Sequence, residues 1–285
     1  EKKNLIHELE SEVENHFYHA HLELNKLFYI SREMQIPRVS TVELMRQVTP
    51  ESSFSVFQKM LKEDQIDIFF IGDFNELAMQ EQFELFKFSD RKQILSLNYQ
   101  QNFSKILREG IEQKEAHQSI LEMGYHFPIQ YGEDSHIPLL VLNGLLGGYA
   151  HSKLFVEVRE KASLAYTVSS SMDIFSGMLR VYAGIDRQNR NKAMTLINRQ
   201  VTDLKRGNFS EEELQQTKKM LRNSALLSQD RQNSLLEMAY LSSILGEKFL
   251  AIDEWLIALE NVQKEDVVSA ANNLKLQAMY FMEGK

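Results

Sequence analysis

The chain has 285 residues, which at about 150 residues per domain suggests about two folded units. With 43% hydrophobic and 25% charged residues and only 4 Pro and 12 Gly, its composition excludes disordered, collagen-like and low-complexity classes and reads as soluble and globular. A net charge of -8 gives no general field for nucleic acid or anionic lipid, and the absence of cysteine removes disulfides, thiolate metal sites and thiol nucleophiles.

In chain order, apolar residues at Leu5, Leu9, Val13, Phe17 and Leu24 predict one long amphipathic helix from Leu5 to Tyr29. A break at Ile36, Pro37 and Arg38 leads to Thr41, a helix N-cap, and a short helix through Arg46. Thr49, Pro50 and Glu51 open another helix to about Leu61. Ile66 to Gly72 (IDIFFIG) then reads as a buried strand closed by Gly72-Asp73. From Asn75 to Gly110 the pattern is that of an ordered connector, placed at 76–110 between a first unit (1–75) and a second (111–285). The second unit predicts strands at 118–129, 164–171 and 178–185, with helices at 136–146, 152–160, 189–206 and 210–228. Its end repeats the end of the first unit: a helix opens at Val262 to Asp266 and runs to about Leu274, and a strand follows from Ala278 to Met282. Val48 and Val262, Leu61 and Leu274, and Gly72 and Gly284 lie 214, 213 and 212 residues apart. This near-constant offset predicts a duplicated unit of about 210 residues, in which the first helix corresponds to the region from Glu211 to about Leu245. The fold class is therefore α+β, a mainly antiparallel sheet with helices on one face, and the first unit lacks its front. The opening EKKNLIHELE, without Met or a leader pattern, reads as a cut inside a longer protein, so inference about targeting stops at Glu1. A reducing compartment, most simply a bacterial cytoplasm, is expected, and the longest apolar stretch, Ile137 to Leu146, falls short of the roughly 18 to 20 residues of a membrane span.

Histidine is the best metal ligand available. His16, His19, His21 and Glu23 cluster on the first helix, and positions 16, 19 and 23 would share a face. Such residues also line any solvated helix face, and that is the preferred reading. His7-Glu8 starts the H-E-x-x-H pattern, but position 11 is Ser11, and no Glu is followed directly by His, so the inverted H-x-x-E-H is also absent. No G-x-S-x-G elbow or phosphate-binding loop occurs. No catalytic residue and no metal ligand is assigned to this chain. Gly144, Gly147 and Gly148 follow a helix and read as a left-handed helix stop and turn, or as a flexible glycine turn beside a binding cleft.

The stretch Asn143 to Val168, NGLLGGYAHSKLFVEVREKASLAYTV, is more specific. It resembles the pitrilysin/insulinase family of zinc metallopeptidases and its processing-peptidase relatives, whose C-terminal half carries a similar run of Leu-Gly-Gly, Ser-Lys/Arg-Leu-Phe, Val-Arg-Glu-Lys and Leu-Ala-Tyr. The similarity continues through Gly177-Met178-Leu179 and Asn208 to Leu214, then to Lys218 and Leu221, and covers about 110 to 285. The resemblance implies two similar α+β domains joined by a linker, with zinc held in the N-terminal one by H-x-x-E-H and a downstream Glu. That motif would lie upstream of Glu1, and Glu8, Glu10, Glu12 and Glu14 near the expected downstream position leave no single ligand assigned. It further implies that Arg159 and Tyr166 reach the peptide near the scissile bond. Without the family, Arg159 would complement a helix C-terminus and Tyr166 would pack across strands. The expected function is the substrate-binding C-terminal half of a zinc peptidase, inactive alone. The alternative is a non-catalytic scaffold or peptide-binding homologue that pairs with an active subunit. Expected partners are a peptide or unfolded polypeptide, and the missing N-terminal domain or a homologous subunit in a homo- or heterodimer, with no nucleic acid and no membrane. Zinc is expected only in the complete enzyme or its partner.

Overall fold

The computed structural model describes residues 1–37, 39–85, 98–102 and 105–285. Arg38, the side chain of Val13 and the connector positions 86–97 and 103–104, on which expectations also fall, lie outside the described residues.

The expected long first helix is two helices, α1 (Lys2–Glu14) and α2 (His16–Phe28). They part at Asn15, whose backbone is extended and whose side chain accepts hydrogen bonds from the Phe17 and Tyr18 amides. An Asn that caps a new helix outcompetes the continuous apolar periodicity across it. A short α3 (Arg32–Gln35) and α4 (Val42–Gln47) follow, with the Thr41 hydroxyl accepting from the Leu44 amide. Helix α5 (Pro50–Glu63) opens on reciprocal bonds between Thr49 and Ser52, and α6 (Glu76–Glu84) is capped by Asn75. The expected strand at 66–72 is a correction: the run is irregular, pairs with no strand among the described residues, and leaves Ile66, Ile68, Phe70 and Ile71 exposed. Strand propensity needs a ladder partner and a face to bury before it makes a strand.

After α6 come β1 (Arg108–Lys114), β2 (Ser119–His126), α7 (His136–Asn143), two π-helical segments (Gly144–Gly148 and Leu154–Lys161), β3 (Ala165–Asp173) and β4 (Met178–Ile185). These are followed by α8 (Arg190–Lys205), α9 (Glu211–Ser228), α10 (Gln232–Leu245), α11 (Ile252–Asn261), α12 (Lys264–Asn272) and β5 (Lys275–Gly284). The five-stranded sheet has the order β1-β5-β2-β4-β3, with β1 parallel to β5 and the other pairs antiparallel. Strand β1 therefore starts inside the span expected to be connector.

Strand alternation sorts the sheet into two faces. Leu121, Met123 and Tyr125 of β2, Leu179, Val181 and Ala183 of β4, and Met279 and Phe281 of β5 join the large core with α7, α8 and α12. The opposite face, with Ile120, Met178, Ala278, Tyr280 and Met282, is covered by Ala20, Leu24 and Phe28 of α2. The expected one-sided layer thus holds for α7, α8 and α12, while α2, from the span expected to form a first unit, covers the other side. Burial of Leu24 and Phe28 contributes about 1.5–3 kcal/mol each.

The C-terminal carbonyls of α2 are tied down by side chains from across the molecule. Arg108 Nη1 donates to Leu27 O (3.2 Å), and Gln101 Nε2 and Gln277 Nε2 donate to Phe28 O (3.1 and 2.7 Å). Gln35 Nε2 donates to Tyr29 O (2.9 Å). These bonds satisfy acceptors that a helix end otherwise leaves to water. The helix can sit this close because position 124 is glycine: a Cβ there would come within 2.8 Å of Phe28 Cδ2. Gly124→Ala is expected to lift α2 and to cost about 1–3 kcal/mol in urea denaturation, with the m-value little changed.

Candidate functional site

Arg159 and Tyr166 stand at the two ends of one helix-turn-strand unit. In the segment Leu154–Lys161, Leu154 and Val158 are buried and anchor it to the core. The helix closes with the Ala162 amide donating to Glu157 O (3.2 Å), the wider spacing of a π turn. Ser163 then reverses the chain with φ of +49°, and the Leu164 amide returns to Val158 O (3.0 Å). On this support the Arg159 guanidinium lies 4.6 Å over the Phe155 ring, with Nε 3.7 Å from Glu160, and its side chain is 43% exposed. Both contacts are local, with partners on the same helical segment.

Tyr166 lies on β3, the edge strand of the sheet, where the register shifts between Ala165 and Thr167. A bulge of this kind re-aims a side chain, and Tyr166 is 63% exposed. Its hydroxyl donates to Asp186 Oδ1 (3.0 Å), and that bond, with the carboxylate charge, pushes the phenol pKa up and keeps its proton in place. Asp186 was not singled out from sequence, because twenty residues separate it from Tyr166 and only the β3–β4 hairpin brings them together.

The glycines do something other than expected. Gly144 has right-handed backbone angles (φ −60°, ψ −45°), and neither Gly147 nor Gly148 has positive φ, so no left-handed stop is formed. What they provide is close packing. A Cβ on Gly144 would lie 2.6 Å from Thr217 Cγ2, and one on Gly147 would lie 2.6 Å from the Ser170 amide nitrogen. Gly144 and Gly147 are buried behind β3 instead of lining a cleft, and only Gly148 is exposed. Hydrogen bonds from Ser169 Oγ to Gly147 O (3.0 Å) and from Ser170 Oγ to Asn143 Oδ1 (2.8 Å) hold the segment against the strand.

The histidines of the first unit diverge. His16 faces a hollow with Glu115 and His117, and His19 Nε2 meets Glu112 Oε2 at 2.7 Å. Glu23 pairs with Lys26 (2.5 Å). Burial raises the Glu112 carboxyl, but hydrogen bonds from Tyr280 and His19 outweigh it and leave the group below its usual range. Among the described residues no group of three or more His, Asp or Glu is placed to hold a metal ion, so these donors do not fit zinc.

His21 lies instead in a groove of about 870 Å³ between α2, the loop after α3, and β3–β4. Its floor carries Ser171, Asp173 and Arg180, and Arg180 Nε donates to the fully buried Glu122 (2.5 Å). Burial, reinforced by Arg180, pushes the His21 imidazole down to about 4.

Residues 47–221 match the family model described as "Peptidase M16 inactive domain". Among curated proteins, the chain is 34% identical over 238 residues to the "Probable inactive metalloprotease YmfF" of Bacillus subtilis, covering 83% of this chain and 56% of that protein. It is 32% identical over 163 residues to the "Uncharacterized zinc protease YmxG" of the same organism, covering 56% of this chain and 40% of that protein. The chain thus spans about half the length of these relatives. A crystal structure of a conserved protein from Enterococcus faecalis superposes with a TM-score of 0.96 at 37% identity, covering all of this chain and 67% of that one. A peptidase M16 inactive domain from Pseudomonas fluorescens shares the fold at 14% identity, with a TM-score of 0.77 over 100% of this chain and 69% of that one.

His136, buried at the start of α7, is also pushed down to about 4 by burial. Both imidazoles are neutral in the fold and protonate freely, near 6.5, once unfolded. Their contribution is complete above pH 6.5 and is lost as pH falls toward 4, because the unfolded chain then binds more protons. Thermal melts from pH 7 to 4 are expected to show falling Tm, with a shallower slope in His21→Gln and in His136→Gln.

Proposed function

The chain belongs to the peptidase M16 family, the pitrilysin/insulinase-like peptidases, and from that premise we propose that it is the substrate-embracing C-terminal half of such an enzyme and hydrolyses no peptide by itself. The observation that carries the reading is the exposed pair Arg159 and Tyr166, held on a rigid helix-turn-strand unit with their polar ends outside the core. A guanidinium donates to peptide carbonyls, and a protonated phenol donates to an oxyanion as charge develops on it. The phenol proton is donated to Asp186 in the resting site, and turning it from that carboxylate to an oxyanion is the rearrangement this reading requires. Zinc and the general base belong to the N-terminal domain or to a homologous subunit in this reading, and when bound zinc would activate water. The ligand is a peptide or unfolded polypeptide, and the setting is a bacterial cytoplasm. Bacterial relatives support the source, and no helix among the described residues is long and apolar enough to cross a membrane.

A second reading is favoured by the name of one relative, a probable inactive metalloprotease. In it the complete protein is a non-catalytic scaffold or peptide binder that pairs with an active metallopeptidase subunit. Peptide hydrolysis by the complete protein with zinc separates the two. In the first reading Arg159→Ala and Tyr166→Phe each lower turnover by about ten- to a hundredfold with Tm unchanged. In the second, turnover is absent and the same substitutions weaken peptide binding in a fluorescence titration. Variants that leave both turnover and binding at the parental level would remove this pair from the site.

A further inference from the structure

A hollow of about 390 Å³ lies between the turn that leads into α7, the stretch 246–250, α11 and the start of α12. That volume suits a small ligand or a single side chain. Its walls are fixed. Gly132, with φ of +80°, brings the turn so close to 246–250 that a Cβ there would lie 2.8 Å from Lys248 Cβ. The Gln130 amide donates to Glu133 Oε2 (3.1 Å) and closes the turn. Tyr131 is held by two rings: it stacks parallel to Phe175, with centroids 5.9 Å apart, and its centroid is 4.5 Å from that of His136.

His136 is the group that calls for a ligand. It lines the hollow, only 7% of the residue is exposed, and its imidazole has no hydrogen-bond partner among the described residues. A buried polar group without a partner is costly, and native folds keep few of them. Burial holds the ring neutral near neutral pH. Whichever nitrogen carries the proton, the other therefore presents a lone pair to an N–H donor.

The surroundings select the charge of that donor. Glu133, Asp134, Glu247 and Asp266 line the hollow against one cation, Lys248. Glu133 and Asp266 stand at the starts of α7 and α12, where they offset the positive helix ends. Asp134 and Glu247 are exposed and have no partner among the described residues. Trp255 and Leu250 add an apolar wall, and an aromatic ring attracts a cation to its face.

We propose that this hollow binds a primary alkylammonium group, carried by a free diamine or by a lysine side chain of a polypeptide. The alkyl chain lies along the apolar wall, an ammonium N–H donates to His136, and Asp134 and Glu247 balance the charge. Neither Arg159 nor Tyr166 lines the hollow, so the site stands whether or not the complete protein cleaves peptides.

Trp255 is the single tryptophan of the chain and reports on the hollow directly. In the complete protein, titration with cadaverine is expected to change tryptophan fluorescence saturably, and the change is expected to vanish in Trp255→Phe, which keeps an aromatic wall. His136→Phe is expected to weaken binding about tenfold. The exposed pair Asp134→Asn with Glu247→Gln leaves the core intact and is expected to weaken it about threefold, with less dependence on salt. Butyltrimethylammonium, which has the charge but no N–H, is expected to bind about tenfold more weakly than cadaverine. Lysine capped as an amide at both ends places the group on a polypeptide if it binds more tightly than cadaverine, and on a free amine if it binds less tightly. Equal binding of the two cations would overturn the proposal. So would a titration that does not saturate, binding unchanged in the Asp134 and Glu247 double variant, or a fluorescence change that survives in Trp255→Phe.

Discussion

A β-sheet has two faces, and the helices α7, α8 and α12 bury only one of those presented by β1–β5. The other carries Ile120, Met178, Ala278 and Met282, an apolar surface that water would leave uncompensated, and α2 is what covers it. Everything that lets α2 sit there is specific: the glycine at 124 beneath Phe28, and the Arg and Gln side chains that take the last carbonyls of the helix. Because Gln101 belongs to the connector and Gln277 to the last strand, the helix end ties three distant stretches of chain into one body. The cost of a buried carboxyl under this face, Glu122, is met by the fork of Arg180, although burial still pushes that carboxyl up.

Cover by α2 is incomplete, and its limits define the polar side of the molecule. It seats on β5 and β2 and leaves the β4–β3 part of the face as a groove floored by Arg180, Ser171 and Asp173. At the opposite end of the hairpin, the bulge after Ala165 throws Tyr166 outward toward Asp186. The strand there is stiffened from behind, where Gly147 brings a π-helical segment into contact with the Ser170 amide. A substitution at Gly147 would therefore act on Tyr166 through the strand backbone, without touching it.

Where local chemistry decides, the sequence was legible. Thr49-Pro50 opens α5 as read, the helix expected at 210–228 is the observed α9, and the expected strand 178–185 is the observed β4. Where a distant partner decides, it was not. Arg108–Lys114 (REGIEQK) has poor strand propensity and becomes β1 because β5 offers it a parallel ladder, while IDIFFIG has strong propensity and no ladder. Asn15 looked like one more polar residue on a helix until its side chain was seen to cap α2. The family resemblance located Arg159 and Tyr166, but the role of Asp186 needed the β3–β4 hairpin. Glycine in a sequence suggests freedom of φ or flexibility, whereas at Gly144 and Gly147 what the fold uses is the absence of a side chain.

The strand order has a consequence for synthesis. β5, residues 275–284, lies between β1 and β2, strands made more than 150 residues earlier. Until the ribosome has released residue 284, β1 has no neighbour in the sheet and β2 keeps one raw edge beside an apolar surface. The sheet therefore cannot close until residues 275–284 have emerged from the ribosome, and until then the nascent form exposes the strand edges on which chaperones and misassembly compete.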